Sequence, residues 1–209
     1  MIMIIKKIIK WRILFITCAV CLIPILAGIV LWNKLPDQIA IHFDINNNPD
    51  NFASKRFTVF GLPLLMIALQ LICCLINDTK AYKYGDRVKF ERATKWIIPI
   101  MAIILQGTTF AYALGINVDI RRWAVIICGV IFLVIGNYLP KFDYIKNKDV
   151  DKEKARKINR FIGFMSVIVG VLAIVSVFLP PVASLIWVLL LIPYAIIATV
   201  YTAVNIKKK

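Results

Sequence analysis

The side chains best placed to do chemistry gather in one stretch. Leu35–Arg56 reads LPDQIAIHFDINNNPDNFASKR and holds the chain's single histidine, His42, with Asp44 two residues on and Asp50 eight on. On an extended strand, a His-x-Asp spacing points both side chains to the same face, which is compatible with a cation site. One imidazole and two carboxylates without a second histidine make a thin ligand set. The other reading is that His42 hydrogen-bonds within the segment, its ring covering whatever lies beneath. On this count no metal and no cofactor is expected.

Catalytic groups are scarce elsewhere. The chain has no HExxH, no GxSxG and no paired aspartates, and no cysteine stands beside His42. Cys18 and Cys21 have CxxC spacing, but they fall in an apolar run and read as small packing residues. None of the five cysteines lies in Leu35–Arg56, so there is no disulfide framework. A non-enzymatic protein is expected.

The elements that must position this segment are membrane helices. The chain is 61% hydrophobic with a mean hydropathy of +0.82, well above the roughly 45–50% apolar content of a soluble domain. Six uncharged apolar runs recur, at about 13–32, 57–76, 96–114, 123–140, 161–179 and 184–204. Each is long enough to cross a hydrocarbon layer of about 30 Å as a helix. The expected fold is an all-α integral membrane protein, read as one membrane domain over 1–209. The first run follows a basic segment (Lys6, Lys7, Lys10, Arg12), as a signal peptide would. It nevertheless extends to Trp32 and exits without a small-residue cleavage site, so an uncleaved helix is expected.

Sorting the charges gives an orientation. Of 26 Lys and Arg, four precede the first run, six lie in 77–95, eight in 140–160 and three at the C-terminus. Only three lie in 33–56 and two in 115–122. The positive-inside rule then puts both termini in the cytoplasm and Leu35–Arg56 outside the cell. The net charge of +15 is accounted for by topology and contact with the lipid bilayer's anionic head groups, not by nucleic acid.

Local patterns refine this. MIMIIKKIIKWR suits the inner interface, with Trp11 at head-group level. In QIAIHFDI, apolar residues alternate as in a half-buried strand, and NNNPDN is turn chemistry, so an ordered loop or short hairpin packed on the helix ends is expected. The charged 77–95 segment reads as a solvated linker, with a short amphipathic helix as the alternative. Gly107, Ala111 and Gly115 form one small-residue stripe, and Gly163, Ser166, Gly170 and Ala173 another; both read as packing seams. Pro24, Pro63 and Pro193 interrupt the first, second and sixth runs. Gln70, Gln106 and Asn137 are amides within the runs, suited to hydrogen bonds between helices. All acidic residues fall in loops or at helix ends on this reading, which argues against an ion-coupled pump.

Two stretches carry a resemblance. Leu35, Pro36, Ile39, His42, Phe43, Pro49, Asp50 and Lys55, within a region spanning 29–76, resemble the short uncharacterised domain at the N-terminus of SdpI-type membrane proteins. Asn47–Asn48 stand where a glycine is usual; asparagine is the next-best residue for positive φ. The region 123–204 is similar to the SdpI-type domain itself: Gly136, Asn137, Tyr138, Leu139, Pro140 and Lys141 match the opening of its signature, and Asn159, Arg160 and Gly163 its close. The family's middle run is replaced by FDYIKNKDVDKEKARK. The resemblance implies a plasma-membrane immunity protein of a Gram-positive-type bacterium that protects against a secreted, bacteriocin-like peptide toxin. It also implies signalling through a transcriptional repressor held at the membrane. Toxin contact would fall on Leu35, Pro36, His42, Phe43, Pro49, Asp50 and Lys55, and the cytoplasmic motif on Gly136, Asn137, Pro140, Lys141, Asn159 and Arg160. Two further readings stay open: a small transporter subunit with a neutral path between proline-broken helices, and a membrane sensor whose 140–160 loop recruits a regulator.

Overall fold

The computed structural model describes residues 8–84, 88–141 and 152–207. Six helices are long and apolar enough to cross a membrane: Trp11–Val30, Phe57–Thr79, Arg92–Ala113, Ile120–Lys141, Glu153–Ser176 and Pro181–Asn205. Each overlaps one of the six expected runs, but the fifth spans Glu153–Ser176 against an expected 161–179, so its first turns lie in the stretch read as the 140–160 loop. Large side chains such as Phe15, Val30, Leu64, Phe164, Phe178 and Ile192 are exposed along them, as suits helices solvated by lipid. The expected interfacial segment at the N-terminus lies mostly outside the described residues, as does much of the 142–157 run.

The chain divides into two compact units, residues 1–123 and 124–209. In the first, α1 (Trp11–Val30) leads to a hairpin of β1 (Gln38–Phe43) and β2 (Pro49–Ser54), then a π-helical turn (Phe57–Gly61), α2 (Leu62–Tyr84) and α3 (Val88–Ala113). The 77–95 stretch is therefore not a linker, because α2 and α3 run through it to within three residues of each other. Leu35, Ile39, Val59 and Phe110 form the core beneath the hairpin. α3 ends in a Schellman arrangement: Gly115 N–H donates to the Tyr112 carbonyl (2.9 Å) and Ile116 N–H to that of Ala111 (3.0 Å). Gly115 has φ +81°, a conformation glycine adopts without a Cβ penalty. It is thus a helix terminator, and a Cβ on Gly107 would meet nothing within 4 Å. The stripe expected on the third helix is not a packing seam.

Helices α2 and α3 are stapled twice, each time at a proline. Pro99 lies inside α3 and offers no N–H to the carbonyl of Lys95 four residues back. Gln70 of α2 fills that place, its Nε2 donating to the Lys95 oxygen at 2.9 Å. In the π-turn, the Leu62 N–H bonds the Phe57 carbonyl. The same spacing would give Thr58 the N–H of residue 63, which is proline. Gln106 of α3 supplies the missing donor to the Thr58 oxygen at 2.8 Å. The expected interhelical role of these two amides holds, and each stands in for an N–H that a proline removed. Asn137 has a local bond instead, accepting from Lys141 Nζ at 3.1 Å.

The second unit holds most of α4 (Ile120–Tyr138), a short 3₁₀ turn (Leu139–Lys141), α5 (Lys152–Ser176) and α6 (Pro181–Lys207). Val125, Val169, Ala173, Val177 and Trp187 form its core, with Trp187 Nε1 donating to the Val169 carbonyl at 2.8 Å. The seam expected on the fifth helix is present. A Cβ on Gly170 would lie 2.8 Å from the Gly129 oxygen, and one on Gly136 would lie 2.6 Å from the Gly163 oxygen. Only glycine permits backbones to approach so closely.

Candidate functional site

The hairpin is built by its own turn chemistry and then fastened to the helices at three points. Asp44 does not point across the strand toward a cation. It lies beyond β1, and its Oδ1 accepts the N–H groups of Asn46 (2.8 Å) and Asn48 (2.7 Å), with Asn48 Nδ2 on Oδ2 (3.1 Å). The Asn48 N–H bond, foremost among these, holds the Asp44 carboxyl below its ordinary pKa. The His-x-Asp arrangement that the spacing allowed is therefore not formed; His42 bonds Asp50 within the segment instead. Among the described residues no cluster of three metal-ligating side chains occurs.

Asn47 follows with φ 66°, the positive backbone angle expected at the position where a glycine is usual. Its side chain does what glycine could not. Nδ2 donates to the Val118 carbonyl (3.0 Å) and Oδ1 accepts the Ile120 N–H (2.9 Å), so the hairpin tip caps the start of α4. The second fastening is Phe43, whose ring meets Tyr112 of α3 edge-on at 4.8 Å.

Lys55 is the third. Its Nζ donates to the carbonyls of Leu35 (2.8 Å) and Trp32 (3.3 Å), pairs with Asp37 at 3.1 Å and sits 5.3 Å from the centre of the Trp32 ring. Lys55 thereby closes the chain after α1. Leu35 belongs to the buried core, Pro36 is exposed, and Pro49 is half-buried opposite Phe43. Of the seven residues grouped for recognition, Leu35, Phe43 and Lys55 are thus engaged in holding the hairpin.

His42 and Asp50 are what the hairpin presents. A bulge shifts the register so that His42 pairs with Asn51, where strict alternation from Ala40–Phe52 would set it against Asp50. His42 Nδ1 and Asp50 Oδ1 still lie 2.5 Å apart, with side chains 68% and 47% exposed. The pair is exposed, and the carboxylate fixes the orientation of the imidazole. Beneath the hairpin a cleft of about 240 Å³ opens between α1, α2 and α3, lined by Pro24, Ile41, Phe43, Met66, Ala102 and Gln106 among others.

At the far end of the same helices lies a polar cluster where solvated charges were expected. Asp78 and Lys95 form an ion pair with side chains 0% and 1% exposed. Asp78 Oδ2 also accepts the Lys10 N–H at 3.1 Å, capping the start of α1 from another helix. Gln70, Cys74 and Thr17 are fully buried nearby, and Gln70 Oε1 has no partner. Both charges lie near the ends of candidate spans, Asp78 in Phe57–Thr79 and Lys95 in Arg92–Ala113, but buried between helices and not solvated. The available signal was spacing: α2 and α3 are separated only by residues 85–87, and 78 and 95 lie at similar distances from that point.

In the second unit the segments around Gly136–Lys141 and Asn159–Gly163 meet. A Cβ on Gly163 would lie 2.6 Å from Pro140, Lys141 bonds Asn137 and sits 5.3 Å from the Tyr138 ring, and Asn159 is buried while Arg160 is exposed.

No curated protein matches the chain, and no solved structure does. Residues 19–67, from within α1 through the hairpin into α2, match the model of a domain of unknown function, DUF1648.

Proposed function

We propose that this chain is a non-enzymatic SdpI-type immunity protein of a Gram-positive-type plasma membrane, with both termini cytoplasmic and the hairpin outside. It would protect the cell against a secreted, membrane-active peptide. The observation that carries this reading is a hairpin fastened to the helices by Lys55, Asn47 and Phe43 with His42 and Asp50 left exposed on it. A prefixed platform loses little freedom when it binds a partner, and an oriented imidazole–carboxylate pair suits polar contact with a peptide. The hairpin lies within the stretch that matches DUF1648. Signalling to a repressor would use the cytoplasmic motif around Gly136, Asn137, Pro140, Lys141, Asn159 and Arg160, with the intervening run outside the described residues.

The test is survival of a toxin-sensitive strain expressing the chain beside a toxin producer. No gain in survival against the cognate peptide sinks the immunity reading. A second reading, a small transporter subunit, is favoured by the buried Asp78–Lys95 pair, since charges inside membrane spans are commonly kept for transport. Substrate uptake that the double variant Lys95→Met with Asp78→Leu abolishes at equal membrane protein level, without change in toxin survival, selects it.

A further inference from the structure

We propose that the cleft beneath the hairpin binds one acyl chain of an anionic membrane phospholipid, a role distinct from the immunity reading. The lining is apolar, with Pro24, Phe43, Met66 and Ala102 on its walls and no charged side chain. Its two polar side chains each donate to a backbone carbonyl: Gln106 Nε2 to that of Thr58 (2.8 Å) and the Thr109 hydroxyl to that of Leu105 (2.8 Å). Protein interiors are close-packed, so an opening of about 240 Å³ leaves its walls without partner atoms. Apolar cavities stay dry and accept hydrocarbon. The walls belong to membrane-spanning helices, so the solvent from which a chain enters is lipid.

The charge at this end selects the head group. Lys55 is paired with Asp37, and Arg121 and Arg122 with Asp119. Lys34 and Arg56, which flank the hairpin, are exposed and have no ion pair among the described residues. Two cations without an ion pair, flanking the hairpin whose Ile41 and Phe43 line the slot, match a lipid whose head carries negative charge.

The test is native mass spectrometry of the full chain in neutral detergent, incubated with phosphatidylglycerol or with phosphatidylcholine. One phosphatidylglycerol per chain should be retained, several-fold above phosphatidylcholine. Ala102→Leu, which fills the slot, should lower retention of both lipids by roughly ten-fold, the equivalent of about 1.4 kcal/mol. Lys34→Gln with Arg56→Gln should bring the two lipids to parity. Thr109→Leu serves as a second filling variant should Ala102→Leu elute as aggregate, and Leu69→Phe on an exposed face should change nothing. Equal retention of both lipids by the unaltered chain overturns the proposal, as does retention unaffected by either filling variant. Absence of retained lipid, with saturable binding of an apolar peptide that Ala102→Leu abolishes, overturns it in favour of a peptide groove.

Discussion

Two side-chain pairs, His42–Asp50 and Asp78–Lys95, mark the two ends of the α1–α3 unit, and they sit in opposite media. His42–Asp50 is a hydrogen bond joining two strands of an exposed hairpin, where water competes for both groups and either partner can be lost cheaply. Asp78–Lys95 joins two helices with no solvent contact, where removing one charge strands the other. The same chemistry is thus available for contact at one end and committed to architecture at the other. The fastenings follow this division. At the hairpin end, backbone carbonyls and turn residues carry them; at the far end, Asp78 reaches α1 through the Lys10 N–H.

The contrast can be broken most forcefully at Lys95. Lys95→Met should cost about 3–5 kcal/mol, read as loss of thermal stability in detergent, and Asp78→Leu in the same chain should recover most of it. A Lys95→Met protein as stable as Asp50→Ala would end the claim that the buried pair is architectural. Next come the staples. Gln70→Leu should cost about 1–3 kcal/mol by stranding the Lys95 carbonyl, and Pro99→Ala, which restores the N–H, should make Gln70→Leu milder. A double-mutant cycle with zero coupling would refute the pairing of glutamine with proline.

Asn47→Gly sharpens the hairpin side. Glycine keeps the positive φ but loses both bonds to the 118–120 segment, so about 1 kcal/mol should go, with faster amide exchange at Ile120 as the specific readout. Unchanged exchange there would mean that the tip is not fastened. His42→Ala and Asp50→Ala should cost less than about 1 kcal/mol while reducing toxin survival at equal membrane protein level. Parallel loss of protein level would make the pair structural. The smallest effect is acid sensitivity of the turn. The Asp44 pKa is lowered in the folded state, so its contribution is full above the unfolded value of about 3.9 and is lost as pH falls through the folded one. Asn46 and Asn48 amide signals that stay fixed through that range would count against it.

The helices were legible because uncharged apolar runs of span length suit a lipid layer and hardly any soluble architecture. The hairpin was legible because QIAIHF alternates and three asparagines follow within the next five residues. Asn47's positive φ was readable for the same reason. What escaped depends on partners far apart in sequence. Lys95 and Asp78 read as solvated charges because hydropathy scores each residue alone, and a charge neutralised by a neighbouring helix scores like any other. Lys55 and Leu35 read as recognition residues, and what the reading missed is that both also close the chain after α1. Gly107 and Gly115 matched a packing spacing, but the helix terminates before the second of them, where a seam would have to continue. The bulge at His42 likewise has no signature in alternation alone.

The doubly stapled α2–α3 pair bears on how the protein enters the membrane. Released alone, α2 with its preceding turn carries an orphan carbonyl at Thr58 and a carboxylate at Asp78; α3 alone carries an orphan carbonyl at Lys95 and an ammonium. Each is a poor segment to leave in hydrocarbon by itself, whereas side by side they are electrically and hydrogen-bond complete. The chain between them is only three residues long. Biogenesis should therefore hand this pair to the lipid as one helical hairpin, with a ribosome-bound intermediate ending before Pro99 held in the insertion machinery until Gln106 has been synthesised.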